Sequence, residues 1–234
     1  MVSTSVPETR GESQNQSRRR SATEIERGNA DVSDHEMSGI RVGVLALQGD
    51  FAAHALALEA AGVGEVVEVR RPRQLDGLAG LVMPGGESTT LLRLLALERM
   101  DDAIREFHAR GGHLFGTCAG LILLAKEVEA PSQASLGLLD VTVQRNGFGR
   151  QRESFVDQSK LEWPGRPAES TEVVFIRAPR ILRVGPGVDV LVRWKDEPVL
   201  VQQGRILGAT FHPELSSGVP IHRLWAGGLA AVSL

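Results

Sequence analysis

Apolar runs that alternate with helical segments dominate the chain from Ile40 onwards. Residues 40–47 form a nearly continuous apolar run with β-branched residues, which is typical of a strand buried on both faces of a parallel sheet. Shorter runs occupy residues 65–69, 81–83 and 113–115, and helical patterns such as residues 51–61 lie between them. Strands and helices that alternate at this spacing predict right-handed βαβ units and a parallel central sheet with helices on both faces.

The second half of the chain is richer in short candidate strands. They are predicted at residues 141–143, 172–176, 188–194, 199–203 and 206–211. A last helix is predicted at residues 221–230, and residues 146–170, which are rich in Gly, Arg, Pro and Ser, are predicted to form a long loop. We therefore predict an α/β fold, a single three-layer domain with a mainly parallel central sheet of the flavodoxin-like kind.

The first 38 residues differ in composition from the rest. They contain no Leu, Phe or Trp, and Ser, Arg, Glu, Asn and Gln are frequent. Such a segment cannot bury enough apolar area to offset the entropy that ordering costs. We expect residues 1–38 to be a disordered tail and residues 39–234 to be the folded domain. Met37 stands just before the first strand, and translation in the cell is expected to start there.

Composition narrows the class of function. The formal net charge is -3, and the folded part has no Lys/Arg stripe with interleaved aromatic residues, so no nucleic-acid partner is expected. No apolar run approaches the roughly 20 residues that span a bilayer, so no membrane segment is expected. A single cysteine cannot form an intramolecular disulfide, and no apolar signal segment stands near the N-terminus. These features predict a cytoplasmic protein.

The single cysteine, Cys118, lies at the centre of the sequence GTCAG, between a short apolar strand and an apolar helix predicted at residues 119–125. This is the G-x-nucleophile-x-G turn, in which small neighbours let a strand reverse into a helix and expose the middle side chain. Backbone N–H groups at the start of a helix favour a thiolate, the reactive form of cysteine. The alternative is a buried cysteine that acts only as a small apolar side chain.

A cysteine nucleophile needs a base, and the best candidate is in the sequence TFHPE, directly after a predicted strand. Residues two apart on an extended segment point to the same side, so His212 and Glu214 are expected to face each other as base and orienting carboxylate. The alternative is a strand-end histidine beside an unrelated surface glutamate. The remaining histidines have weaker claims, namely His35, His54, His108, His113 and His222.

Acyl transfer also needs donors for the oxyanion. The N–H of Ala119, which follows the nucleophile, is one candidate. The second is the glycine pair of the sequence PGGES, at the end of a neighbouring parallel strand, with Gly86 as the donor. Ser88 is predicted to cap the helix that follows. An ordinary Pro-Gly turn is the alternative for this loop.

The order strand-PGGES, strand-GTCAG, strand-FHPE resembles the triad class I glutamine amidotransferases. Within them the chain is similar to the glutaminase subunits of pyridoxal 5'-phosphate synthase, because stretches without catalytic groups also match. The matching stretches are GVLALQGDFAAH, LDGLAGLVMPGGESTT, FGTCAGLILLAKEV, LGLLDVTVQRNGFGRQRESF, FIRAPRI and GATFHPEL. They extend over nearly all of residues 40–234, whereas the N-terminal tail has no counterpart in the family.

The resemblance implies hydrolysis of L-glutamine to L-glutamate and ammonia through a γ-glutamyl thioester on Cys118, without a metal or cofactor. It implies a triad of Cys118, His212 and Glu214, and substrate contacts at Gly86, Glu87, Ser88, Arg145, Ile176 and Arg177. Free glutamine is a zwitterion, and Glu87 suits its ammonium as Arg145 suits its carboxylate. The implied partner is a ring-forming synthase subunit in a large hetero-oligomer, with one glutaminase per synthase subunit.

Three other functions remain open at this point. A glutaminase that feeds a different synthase would keep the same triad. A cysteine hydrolase or chaperone-like protein of a related fold would have the cysteine turn without a glutamine pocket. A binding module would use Cys118 only for structure. Ammonia release from glutamine, and the identity of the protein that co-purifies, would separate these possibilities.

Overall fold

The computed structural model describes Met1, Met37, residues 39–145, Gly147 and residues 154–230. The first half of the folded part has strands and helices in alternation. Its elements are β1 (Arg41–Leu45), α1 (Phe51–Ala60), β2 (Glu65–Val69), a 3-10 turn (Pro72–Leu75), β3 (Gly80–Met83), α2 (Ser88–Leu97), α3 (Met100–Ala109), β4 (His113–Thr117) and α4 (Ala119–Leu124).

The second half is mostly strands. Its elements are β5 (Ala125–Glu129), β6 (Leu139–Gln144), β7 (Ser154–Leu161), β8 (Glu169–Ile176), β9 (Arg180–Val184), β10 (Asp189–Trp194), β11 (Glu197–Gln203), β12 (Ile206–Ala209), a 3-10 turn (Pro213–Leu215) and α5 (Pro220–Ala230).

The main sheet has nine strands in the order β2-β1-β3-β4-β12-β11-β10-β7-β8. Its strands are parallel from β2 to β12. From β12 to β8 every pairing is antiparallel. A second sheet has the order β5-β6-β9. The predicted parallel sheet is present. The three motifs predicted to form the site lie at the ends of its strands β3, β4 and β12.

Apolar side chains cover both faces of the parallel strands. Leu81 and Met83 on β3 belong to one buried cluster, together with Leu91 of α2. Val82, between them, belongs to a second cluster on the other face, together with Trp225 of α5. Successive strand residues point to opposite faces, so a strand that is apolar at every position must be covered on both. The apolar runs in the sequence therefore predicted these strands correctly.

The prediction of one long loop over residues 146–170 is wrong for residues 154–161. These residues form β7, which pairs with β8 along its whole length, from Ser154 opposite Ile176 to Leu161 opposite Glu169. Only Leu161 is buried in this strand, so its sequence shows no clear apolar alternation. Pairing with β8 and β10 stabilises a strand that its own residues do not indicate. Asn146 and residues 148–153 lie outside the described residues.

Met37 is already attached to the folded part of the chain. Its side chain is 4% exposed, and its carbonyl accepts hydrogen bonds from the N–H groups of Ile40 and Gly64, each at 3.1 Å. Residues 2–36 and Ser38 of the predicted tail lie outside the described residues, so the predicted domain boundaries remain predictions. In the described part of the chain, no helix is long and apolar enough to cross a membrane.

Candidate functional site

Cys118 occupies a sharp turn between β4 and α4. Its backbone has φ 47° and ψ -101°, a conformation that non-glycine residues adopt at a cost. The N–H of Cys118 donates to the carbonyl of Ala209 at 2.8 Å, which ties the turn to β12. A Cβ at Gly120 would lie 2.0 Å from the carbonyl oxygen of Met83, so α4 can lie this close to β3 only with glycine there. The structure thus contains the predicted nucleophile turn.

The strand beside β4 brings His212 to the cysteine. Ala209 of β12 pairs with Thr117 of β4, so the residues that follow the two strands emerge side by side. The N–H of His212 then donates to the carbonyl of Val174 at 2.8 Å, which fixes this segment against β8. As a result, His212 and Cys118 line the same cavity.

His212 Nδ1 lies 2.7 Å from Oε1 of Glu214, whose side chain is fully buried. The sequence predicted this contact, but for the wrong reason. The strand ends at Ala209, and Glu214 lies in the 3-10 turn Pro213–Leu215. The turn, and not an extended segment with two-residue periodicity, brings the imidazole and the carboxylate together.

The surroundings of His212 keep its imidazole charged. Burial acts to lower the pKa of His212, but hydrogen bonds and charge interactions with Cys118 and Glu214 outweigh burial and raise that pKa to about 10. An imidazolium between a thiol and a carboxylate favours thiolate chemistry at the sulfur. The Sγ atom of Cys118 also lies 4.0 Å from the carbonyl oxygen of Ile176.

A cavity of about 370 Å³ opens at Cys118, a size suited to a small metabolite. It is lined by Gly49, Asp50, Gly85, Gly86, Glu87, Ser88, Cys118, Ile122, Arg145, Ile176, Arg177 and His212. All six residues predicted to contact substrate are in this set. A second cavity, of about 290 Å³, lies at the opposite ends of β3 and β4, and contains none of the predicted site residues.

Opposite charges face each other at the wall of the larger cavity. Arg145 Nη2 lies 3.1 Å from Oε1 of Glu87. Glu87 also accepts hydrogen bonds from the N–H groups of Thr89 at 3.2 Å and Thr90 at 2.8 Å, at the start of α2. Desolvation acts to raise the pKa of Glu87, but the hydrogen bonds from Thr90 and Thr89 lower it to about 2. Glu87 is therefore a carboxylate at any physiological pH.

The prediction that Ser88 caps α2 is wrong, because Glu87 is the N-cap residue. Ser88 is the first residue of the helix, and its hydroxyl donates to Oε1 of Gln133 at 3.0 Å. A carboxylate at the cap position accepts two backbone N–H groups at once, which a hydroxyl oxygen satisfies less completely. Ser88 is buried and lines the cavity, as predicted for a substrate contact.

The glycine loop after β3 lies directly against the cysteine and the histidine. A Cβ at Gly85 would lie 2.6 Å from Cε1 of His212 and 3.4 Å from Cβ of Cys118. The backbone at this point can approach the pair only without a side chain. The neighbouring N–H of Gly86, with that of Ala119, was predicted to hold an oxyanion. The role of these two donors remains a prediction.

Sequence reasoning missed three buried polar residues behind Glu214. His54 of α1, Thr117 of β4 and His222 of α5 are each completely buried. His54, within a predicted helix, and His222, near the C-terminus, were given weaker claims than His212. One signal was available: His54 stands four residues before Leu58, on the buried face of α1. In the described ranges, no group of three or more His, Cys, Asp and Glu side chains could hold a metal ion.

These features define a class of protein. A cysteine lies at a tight strand-to-helix turn on the carboxyl edge of parallel strands, beside a histidine and a buried glutamate. The adjoining cavity presents one carboxylate and one guanidinium to a small ligand. This is the arrangement of an α/β enzyme that transfers an acyl group through a cysteine thioester.

Comparison with known proteins identifies the family. Residues 44–226, more than half of the chain, match the SNO glutamine amidotransferase family. A Deinococcus radiodurans protein named pyridoxal 5'-phosphate synthase subunit PdxT is 52% identical over 191 residues, which are 80% of this chain and 95% of that protein. A Desulforudis audaxviator protein of the same name is 47% identical over 184 residues, which are 79% of this chain and 96% of that protein.

The fold comparison agrees with the sequence comparison. A crystal structure of a glutamine amidotransferase matches with a TM-score of 0.74 and 48% sequence identity, over 81% of this chain and 98% of that chain. The chain belongs to the SNO glutamine amidotransferase family. The predicted fold class, the resemblance and the enzyme class are therefore confirmed.

Proposed function

We propose that this chain is the glutaminase subunit of a pyridoxal 5'-phosphate synthase. It hydrolyses L-glutamine to L-glutamate and ammonia, and the ammonia passes to a synthase subunit for vitamin B6 biosynthesis. The observation that carries the hydrolysis is that Cys118, the Glu214-bound His212 and the Glu87–Arg145 pair line one cavity. The names of the relatives support the pathway.

Cys118 is the nucleophile in the first half of the reaction. Its sulfur attacks the amide carbon of the glutamine side chain, and a C–S bond forms while the carbonyl oxygen becomes an oxyanion. The N–H groups of Gly86 and Ala119 hold this oxyanion. The imidazolium of His212 gives its proton to the departing amine, the C–N bond breaks, and ammonia leaves a γ-glutamyl thioester.

Water completes the reaction. His212, now neutral, takes a proton from a water molecule, whose oxygen attacks the thioester carbon. The C–S bond breaks, glutamate leaves, and the thiolate–imidazolium pair is restored. Glu214 accepts a hydrogen bond from His212 Nδ1 at 2.7 Å throughout, so the other ring nitrogen of His212 faces the sulfur.

The charged wall of the cavity recognises the amino-acid end of glutamine. Glu87 binds the α-ammonium and Arg145 binds the α-carboxylate. In the structure these two side chains neutralise each other at 3.1 Å, and a zwitterion inserted between them replaces one ion pair with two. Ser88, Ile176 and Arg177 contribute the remaining contacts around the cavity.

The assembly with the synthase remains a prediction in its finer points. We expect a ring-forming synthase in a large hetero-oligomer, one glutaminase chain per synthase subunit, no nucleic-acid or membrane partner, and a cytoplasmic location. We also expect the isolated chain to be a poor glutaminase. A misdirected Gly86 N–H would lower turnover by about 10²–10³-fold, and a docked synthase subunit would stabilise the productive loop.

Turnover of glutamine tests the proposed function. Ammonia release is measured for the purified chain, for the chain mixed with the synthase subunit of the same organism, and for the Cys118→Ala variant in that mixture. We expect activity only in the wild-type mixture. An electrophilic glutamine analogue should form an adduct at Cys118, located by peptide mapping. No adduct on Cys118 in an active mixture would contradict the mechanism.

A pull-down from cell extract tests the pathway separately. Mass identification of the captured protein should return the pyridoxal 5'-phosphate synthase subunit. Capture of a different ammonia-consuming synthase, with glutaminase activity intact, would keep the reaction and reject the pathway. Activity equal with and without the synthase subunit would reject activation by the partner and keep the triad.

A further inference from the structure

A buried polar cluster lies on the side of Glu214 that faces away from His212. It consists of His54, Thr117 and His222, which come from α1, β4 and α5 and are all 0% exposed. The proposed mechanism uses none of them. Burying a polar group costs free energy unless the group is hydrogen-bonded. Buried polar side chains therefore normally form hydrogen bonds with one another or serve a function.

The contacts form a chain that leads to the triad carboxylate. His54 Nδ1 lies 3.0 Å from Nε2 of His222. His54 Nε2 lies 3.0 Å from Oγ1 of Thr117 and 3.3 Å from Oε2 of Glu214. This is the carboxylate oxygen that His212 does not use, and among the described residues it has no aligned hydrogen bond. His54 Nε2 is thus a polar atom that lies close to Oε2 of Glu214.

The tautomers of the two histidines follow from what each nitrogen faces. His222 Nδ1 is buried and has no hydrogen-bond partner among the described residues. An unpaired buried N–H is rarer than an unpaired acceptor, so the proton of His222 lies on Nε2 and is donated to His54 Nδ1. The proton of His54 then lies on Nε2, which faces Thr117 and Glu214. The reverse assignment would direct a lone pair at a carboxylate.

Both histidines are neutral at physiological pH. Burial, followed by His222 and His212, lowers the pKa of His54 well below 6.5. Burial lowers the pKa of His222 to about 3. A neutral N–H donor holds the Glu214 carboxylate in place through its dipole. The negative charge of Glu214 then remains paired with the positive charge of His212. A charged His54 would instead compete with His212 for that charge.

We propose that His54, held in place by His222 and Thr117, is a positioning residue that fixes the Glu214 carboxylate from behind and so keeps His212 aligned with Cys118. The inference rests on the proposed function only in taking Cys118, His212 and Glu214 as the catalytic set. His54 touches neither the substrate cavity nor the sulfur, and it acts through Glu214 alone.

Two substitutions at His54 separate a positioning role from a packing role. In His54→Gln the side-chain amide reaches the place of Nε2 and can still donate toward Thr117 and Glu214. In His54→Asn the shorter amide reaches only the place of Nδ1 and faces His222. Both variants are polar and smaller than histidine, and His54→Asn leaves the larger gap, so thermal unfolding of both variants is measured to separate lost packing from the lost contact. Trp225→Phe is the control, because it removes an N–H that has no partner among the described residues and leaves the polar chain of contacts intact.

Two readouts are taken on each variant in the complex with the synthase subunit. The first is kcat and KM for glutamine. The second is the rate at which iodoacetamide alkylates the chain, which reports on the thiolate of Cys118 alone because the chain has one cysteine. We expect His54→Asn to lower kcat and the alkylation rate by about ten- to a hundredfold with KM unchanged. His54→Gln should recover most of the loss, and Trp225→Phe should match the wild type.

The outcomes distinguish this inference from the proposed function. Equal kcat and alkylation rates in His54→Asn and the wild type would overturn the positioning role, as would equal losses in His54→Asn and His54→Gln. A wild-type complex that releases no ammonia would reject the proposed function instead. The alkylation rates would still decide the role of His54, because alkylation needs no glutamine.

Discussion

His212 and His54 face the two oxygens of one carboxylate, yet their surroundings leave His212 positively charged and His54 neutral. His212 lies 2.7 Å from Oε1 of Glu214, and its pKa is raised to about 10 because Cys118 and Glu214 outweigh burial. His54 lies 3.3 Å from Oε2, and its pKa is lowered by burial and by two neighbouring histidines. The site therefore keeps a positive charge only where it faces the sulfur.

The two sides of Glu214 are also built differently. The cavity side consists largely of loop residues at the ends of strands, with Gly85 close to Cys118 and His212. The buried side consists of side chains from α1, β4 and α5, packed among the apolar core. Loop residues generally rearrange around a ligand more readily than side chains that are packed in a core. Substitutions on the cavity side should change kcat or KM, whereas those on the buried side should also change how stability depends on pH.

The largest effect is expected at Cys118 and His212, which form the proposed thiolate–imidazolium pair. Cys118→Ala or His212→Ala should lower kcat by about 10³-fold or more, because members of a triad act as a unit. Glu214→Gln should cost less, since Glu214 orients His212 and transfers no proton in the mechanism. Steady-state ammonia release in the complex measures all three. A Glu214→Gln loss as large as that of Cys118→Ala would show that the carboxylate does more than orient.

A side chain in the glycine loop should have the next largest effect. Gly85→Ala would place a Cβ 2.6 Å from Cε1 of His212, so the ring or the loop must move. A displacement of this kind should lower kcat by about a hundredfold. Gly228→Ala is the matched control, because Gly228 lies in α5 with open space around it. It should leave kcat unchanged, and equal kcat in both variants would mean that the loop accommodates the methyl group.

How far the sequence predicted the fold depends on burial. Strands β1 and β3 are apolar at nearly every position, so the apolar runs in the sequence located them. Strand β7 exposes most of its residues, and only its pairing with β8 and β10 makes it a strand. No local pattern records a partner strand that lies elsewhere in the chain. For the same reason the antiparallel half of the sheet was only partly predicted.

The candidate site divides in a similar way. Cys118, His212 and Glu214 stand in short motifs, and all residues predicted to contact substrate line the cavity. His54 ends the matching stretch GVLALQGDFAAH, but its contact with His222, 168 residues away, requires α1 and α5 to meet on the sheet. Residue types at fixed spacing identify a cavity wall, whereas a buried network depends on tertiary packing.

A third prediction concerns stability and the buried side. Unfolded His222 takes up a proton below its ordinary pKa of 6.5, but folded His222 does not until the pH approaches about 3. Acid therefore favours the unfolded chain, and stability that is complete above pH 6.5 is lost as the pH falls toward 3. Between about pH 7.5 and about pH 5 this single group should account for about 2 kcal/mol of lost unfolding free energy.

His222→Phe removes this titration. Urea unfolding of the wild type and of His222→Phe at both pH values should show a smaller acid loss in the variant, whatever its absolute stability. Parallel losses in the two proteins would mean that folded His222 is protonated, and the neutral chain of histidines would be wrong. The contrast between a charged His212 and neutral buried histidines would then be wrong.

The smallest effect is expected at the outer wall of the cavity, where solvent weakens charge interactions. The side chain of Glu87 is 47% exposed and that of Arg145 is 16% exposed. Glu87→Gln removes the charge that we propose binds the ammonium of glutamine, and we expect KM for glutamine to rise by about tenfold, or roughly 1.4 kcal/mol, with kcat unchanged. Because Glu87 also caps α2, thermal unfolding is measured beside kinetics to separate a lost cap from lost binding.

Arg145→Gln should raise KM to a similar degree, and the double variant should lose less than the two single losses combined, because each removes the partner of the other. A Glu87→Gln variant with unchanged KM would place the ammonium of glutamine elsewhere. The cavity side would then owe its selectivity to shape instead of charge.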